Sequence, residues 1–235
     1  MSLYVVVEGE RTEPRLYRAW LPMILPGLDE VRRIEDAGEH AFFLISGYGY
    51  PNYLERIAAA IDDIRNSEGR FTHLLVCVDA EEAGHDERLA EVEHAIQSRG
   101  CPVSSTVIVA DCCIEAWLLG NRKFVRNAPH DPELGQLLRH HDVRELDPEG
   151  MPPHPNHRNR ASLCLRYIQV AFRERQQRYS KRNPGFAAST PYFEALCERA
   201  QATPTSGPRH LRSFARLLTL PEQSGLEPRD GRDPT

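Results

Sequence analysis

The chain has no run of about 18 apolar residues, which excludes a membrane-spanning helix. It also lacks a basic-then-apolar leader, because Met1 runs almost directly into a hydrophobic strand. Six cysteines without an export signal predict free thiols in a reduced, cytoplasmic protein. No Cys-x-x-Cys pair occurs, and adjacent cysteines such as Cys112 and Cys113 rarely ligate one ion together. Neither they nor His140, His141, His154 and His157 therefore predict a structural zinc. A cysteine nucleophile is disfavoured too, since Cys112 and Cys113 have no neighbour that identifies a base. No internal repeat is present, and no convincing strand follows about residue 127.

What is present is enough for a sizeable core: 235 residues, 40% hydrophobic and 27% charged, as in an ordinary soluble globular protein. The net charge of −5 hides an asymmetry. Residues 1–120 carry 10 Lys+Arg against 21 Asp+Glu, whereas residues 121–235 carry 19 against 13. An acidic half beside a basic half suits a metal site next to a polyanion-binding surface, or two oppositely biased solvated faces.

Apolar runs at residues 4–7, 41–46, 72–78 and 103–110 alternate with helical periodicity at residues 13–25, 51–66, 85–97 and from 114. Four such strands predict a mostly parallel sheet covered by helices on both faces. Helices are expected further on at 133–140, 160–179, 191–202 and 208–220. The expected organisation is an α/β domain over 1–125, a basic helical extension over 126–220 and a disordered tail over 221–235.

Three of the strands end in acids. Val7 leads into Glu8, with Glu13 at the start of the next helix; Val78 leads into Asp79 and Glu81; Ala110 leads into Asp111 and then Glu115. A parallel sheet puts all these ends on one edge, where carboxylates can converge on a hard cation such as Mg²⁺ or Mn²⁺. Strand-end acids are also common as solvated loop residues, and only their convergence separates the two readings. The basic residues Arg158, Arg160, Arg166, Arg173, Arg175, Arg178, Lys181 and Arg182 include only Glu174 among them as an acid, and could track phosphates. The stretch Gly47 to Tyr53 reads chiefly as a tight connection; base stacking on its tyrosines is the less favoured reading.

Val5-Val6-Val7-Glu8-Gly9-Glu10-Arg11-Thr12-Glu13-Pro14 resembles the opening motif of RloB-like Toprim nucleases. Val76-Cys77-Val78-Asp79-Ala80-Glu81 resembles the Toprim Asp-x-Asp motif, with Glu replacing the last Asp. Ile114-Glu115-Ala116-Trp117-Leu118-Leu119 resembles their Glu-x-Trp-Leu-Leu motif, and Lys181 stands where these proteins have a downstream lysine. The similarity covers roughly residues 3–120.

The resemblance implies a Toprim (Rossmann-like) fold and a Mg²⁺- or Mn²⁺-dependent nuclease like the overcoming-lysogenization-defect enzymes. It makes Glu8, Asp79, Glu81 and Glu115 metal ligands, and Glu8, Glu13 and Lys181 catalytic groups. It also implies DNA or RNA as substrate, a setting in prokaryotic defence against phage, and an ATPase partner. Two other readings are a non-catalytic nucleic-acid- or nucleotide-binding effector subunit and a metal-dependent phosphatase or nucleotide hydrolase. Monomer and homodimer both stay open.

Overall fold

The computed structural model describes residues 1–203 and 207–223. Its centre is β1 (Leu3–Val7), every residue of which is buried. The chain then forms α1 (Thr12–Ile24), the short β2 (Asp29–Val31), β3 (Ala41–Ser46), α2 (Asn52–Asn66), β4 (His73–Asp79), α3 (His85–Arg99) and β5 (Ser104–Ala110). The sheet is five-stranded and wholly parallel, in the order β2-β3-β1-β4-β5.

This corrects the four-strand expectation. The additional strand, β2, reads Asp-Glu-Val and is largely exposed. It carries no apolar signature because it is a sheet edge, and edges are kept short and charged to block pairing with other chains.

Strand alternation divides the interior in two. Leu3, Val5 and Val7 pack with Leu16 and Trp20 of α1, while Tyr4 and Val6 pack with Ile57 and Ile61 of α2 and Val92 and Ile96 of α3. The first face is also covered by α4 (Ile114–Leu118), α5 (Pro132–His140), α6 (Arg160–Glu174), α7 (Thr190–Gln201), α8 (Arg212–Leu218) and the short α9 (Leu220–Gln223). One core runs from Leu3 through Trp117 and Tyr167 to Phe214 and Leu220, so the helical region and the sheet share their apolar interior.

Local chemistry sets the helix ends. Asn159 caps α6 in a reciprocal pair with Ser162, and Gly100 closes α3 in the left-handed conformation at φ 67°. The α6 helix stops at Glu174 rather than about Tyr179, and Gln176 lies beyond it at φ 57°. Tyr179 to Lys181 therefore lie on an irregular segment that returns toward the sheet. Of the expected tail, residues 221–223 belong to α9 and the remainder lies outside the described residues.

Candidate active site

The loop leaving β1 leads to α1 on one face of the sheet, and the loop leaving β4 leads to α3 on the other. The carboxyl ends of these adjacent strands thus form a topological switch point, the usual ligand crevice of a parallel sheet. Glu8 and Asp79 stand on its two sides. The Glu8 N–H donates to the Cys77 carbonyl at 2.9 Å, extending the ladder by one residue. Its side chain accepts the Asp79 N–H at Oε2 (2.9 Å). Asp79 Oδ1 accepts the Ile114 N–H (3.0 Å), tying the pair to the first turn of α4.

That turn carries Glu115, which is 1% exposed and accepts the Tyr179 hydroxyl at Oε1 (3.1 Å). Glu13 folds back from α1 over Gly9, where an added Cβ would fall 1.8 Å from Glu13 Oε2. Gly9 has no positive φ, so its backbone conformation does not require glycine. It is space for the Glu13 carboxylate that calls for glycine there. The Thr12 hydroxyl donates to the Lys181 carbonyl (2.5 Å), which brings a residue far along the chain to the start of α1. The Lys181 side chain, although exposed, interacts electrostatically with Glu115, Asp79 and Glu13. Glu81 is exposed, has φ 47°, and adds its charge to that felt by Glu8.

Burial and mutual repulsion raise the proton affinity of these acids. Burial chiefly pushes Glu8 up to about 7, against the lowering effect of the Asp79 N–H, with Glu81 and Glu13 adding to the rise. Burial also carries Glu115 to about 7, with Cys113 next in weight and Lys181 opposing. Glu13 is raised by burial and then Glu115; Asp79 is raised well above the carboxylate range by burial and then Glu13. Lys181 is raised in turn, first by Glu115.

The donors at this edge are all oxygens, the chemistry a hard cation takes, and Glu8, Asp79 and Glu115 each spend one oxygen on a protein donor. Among the described residues, no three carboxylates have oxygens all within 4.8 Å of one another; the one such trio is sulfur, from Cys112, Cys113 and Cys164. Coordination by three of the acids would require side-chain rotation about the fixed backbone positions. Asp111, also at a strand end, instead lines a separate cavity of about 360 Å³ with Asp86, Glu149, Arg212 and Arg216.

The basic stretch is divided. Arg166 makes a two-pronged pair with Glu133 (2.6 and 2.7 Å), and Arg173 pairs with Asp131 and Glu133. Arg160 donates to the carbonyls of Met151 and Glu149, and Arg175 to those of Phe124 and Lys123. Arg158, Arg178 and Arg182 are exposed. The Gly47–Tyr53 connection is tight, with the Gly49 N–H donating to the Glu8 carbonyl (2.8 Å), and it also leaves Tyr48 and Tyr50 each 56% exposed.

Sequence reasoning passed over two polar neighbours of the acids. Tyr179 holds Glu115, but its hydroxyl follows a helix end that periodicity placed wrongly. Arg88 of α3 is 7% exposed, donates to Tyr53 Oη (2.9 Å), pairs with Glu91 and lowers the proton affinity of Glu8. Its signal was available: it is the sole Lys or Arg between Phe71 and Ser98, a stretch dense in acids. Comparison of the chain with family models, with curated proteins and with solved structures finds no match in any of the three.

Proposed function

We propose that this protein is a Mg²⁺- or Mn²⁺-dependent nuclease on a Toprim-like sheet, hydrolysing phosphodiester bonds of DNA or RNA. The observation that carries the reading is the gathering of Glu8, Glu13, Asp79, Glu115 and Lys181 at one switch point from separate segments of the chain. Glu8, Asp79, Glu81 and Glu115 would hold the cation, which when bound supplies a water of lowered pKa and neutralises phosphate charge. Glu13, whose proton affinity burial holds up, is suited to take a proton from an attacking water. The Lys181 ammonium offers a point cation to the charge that builds on the phosphoryl oxygens. Tyr48 and Tyr50 are exposed, although Arg56 and Arg88 each lie over one of these rings, and Arg158, Arg178 and Arg182 are placed for phosphate contacts. The motif resemblance supports a setting in antiphage defence beside an ATPase partner.

The test is incubation of the purified chain with plasmid, single-stranded DNA and RNA in Mg²⁺, Mn²⁺ or EDTA. Cleavage should need the cation and fall by at least two orders of magnitude in Glu8→Ala and Asp79→Ala proteins. Cleavage in EDTA, or full activity of either variant, would refute the mechanism. Engagement of Arg160, Arg166, Arg173 and Arg175 within the helical region leaves a smaller cationic track than the sequence suggested. That favours, as a second reading, a hydrolase of small phosphate esters, which predicts phosphate release from mononucleotides with polymers intact. Salt-sensitive binding without turnover in any metal would point to an effector subunit instead.

A further inference from the structure

Cys112, Cys113 and Cys164 are 0–1% exposed, and their sulfur atoms all lie within 4.8 Å of one another. The first two sit on the turn between β5 and α4; the third comes from the first turns of α6. We propose that these three thiols form a buried site for one thiophilic d¹⁰ cation, with Cu⁺ the best match.

Sulfur identity sets the class of ligand. Thiolates select soft ions such as Cu⁺ and Zn²⁺ and have little affinity for the hard cations that carboxylates take. Metal–sulfur bonds of about 2.3 Å in a trigonal plane put the sulfurs about 4 Å apart, a spacing that the 4.8 Å limit admits. The number of donors narrows the choice. Among the described residues no imidazole or carboxylate joins the trio at the same range. Structural zinc takes four ligands, whereas Cu⁺ is satisfied by three thiolates.

The charges around the cluster are mixed: the guanidinium of Arg160 favours negative sulfur at Cys112, while Asp79 and Glu115 oppose it, a repulsion that a bound cation offsets in part. Adjacent cysteines rarely share an ion, but Cys112 adopts φ 62°, a left-handed conformation uncommon for a non-glycine residue, and its sulfur lies within 4.8 Å of that of Cys113. Sequence spacing could not show the site, because its third member is supplied by a helix about 50 residues further on.

The site has a structural consequence. The Ile114 N–H that orients Asp79 directly follows Cys113, and Glu115 follows it in turn. A bound ion would pin the turn that sets two of the edge acids. Binding exchanges three S–H bonds for three S–metal bonds and releases the protons to solvent. The inference does not rest on the hydrolase reading, since uptake is measured without any substrate.

The test uses the full chain, reduced and kept anaerobic, titrated with Cu⁺ held by a chromophoric competitor. One ion per chain is expected, with three sulfur neighbours by X-ray absorption. It should be retained in a Cys101→Ser/Cys197→Ser double variant and in Glu8→Ala/Asp79→Ala. Cys113→Ser and Cys164→Ser should each weaken it at least tenfold. Should either serine variant fail to fold, alkylation rates of the wild type with and without Cu⁺ decide: the ion should slow modification of Cys112, Cys113 and Cys164 and leave the rates at Cys77, Cys101 and Cys197 unchanged. No uptake, uptake unchanged by both serine variants, or protection of a different set of thiols would overturn the proposal. So would a Cys112–Cys164 or Cys113–Cys164 disulfide that persists in the reduced protein and blocks binding.

Discussion

Glu115 allows the sharpest test of how the acid edge is built. It is 1% exposed, and its pKa rises from 4.5 to about 7, chiefly through burial. A folded value above the unfolded one means that the group's contribution to stability is complete below about pH 4.5. That contribution is lost as pH rises through about 7. The difference corresponds to about 3 kcal/mol by pH 8. Glu115→Gln removes the titrating group yet keeps an oxygen to accept the Tyr179 hydroxyl. In the absence of divalent cations the variant should therefore be more stable than wild type at pH 8, by up to about 3 kcal/mol. At pH 4 the two should nearly coincide. In a chain of this length the gain is roughly 5–10 °C in thermal midpoint. Urea unfolding at a series of pH values is the assay. Parallel pH dependences, or a variant less stable at pH 8, would refute the claim that Glu115 ionises at a cost. Under the proposed function the same variant should lose cleavage activity, so stability and activity should move in opposite directions.

The remaining predictions are more local. Gly9→Ala places a Cβ where the Glu13 carboxylate lies, so turnover should fall at least tenfold with a thermal midpoint close to wild type; a full-rate variant would show that Glu13 is not needed there. Tyr179→Phe removes a hydrogen bond from the ionised Glu115, which raises its pKa further. The acid limb of a pH–rate profile should then move upward by about one pH unit. Replacing Arg158, Arg178 and Arg182 together by alanine should flatten the dependence of nucleic-acid affinity on log salt by about two to three. Arg166→Ala should leave that slope unchanged and cost about 1 kcal/mol or less of stability, as expected for a half-exposed ion pair with Glu133.

The acid edge was legible as far as backbone periodicity reaches. Runs of β-branched residues ending in Glu8, Asp79 and Ala110 located three strand ends, and parallel topology put them on one edge. The bounds of α2, α3, α5 and α7 lie within about two residues of the expected ones, because apolar residues recur there at helical spacing. Where the signal was absent, the expectation failed for identifiable reasons. The edge strand β2 is charged and short, and α6 stops at Glu174, two residues before the left-handed Gln176, a break that periodicity does not encode.

By itself, then, the sequence determined a parallel α/β sheet, a helical carboxyl half and the strand ends on which the acids would stand. Those follow from patterns repeated every two or every 3.6 residues, which a linear chain displays. Only the tertiary structure decided which polar groups meet. It brought Lys181 to Thr12, Tyr179 to Glu115, Arg88 toward Glu8 and Cys164 to Cys112 and Cys113. It also engaged Arg160, Arg166, Arg173 and Arg175 with carboxylates or backbone carbonyls, although Arg173 and Arg175 stay exposed. Such meetings depend on how α6 and the segment after it pack against the shared core, and contact between residues distant in sequence leaves no period to read.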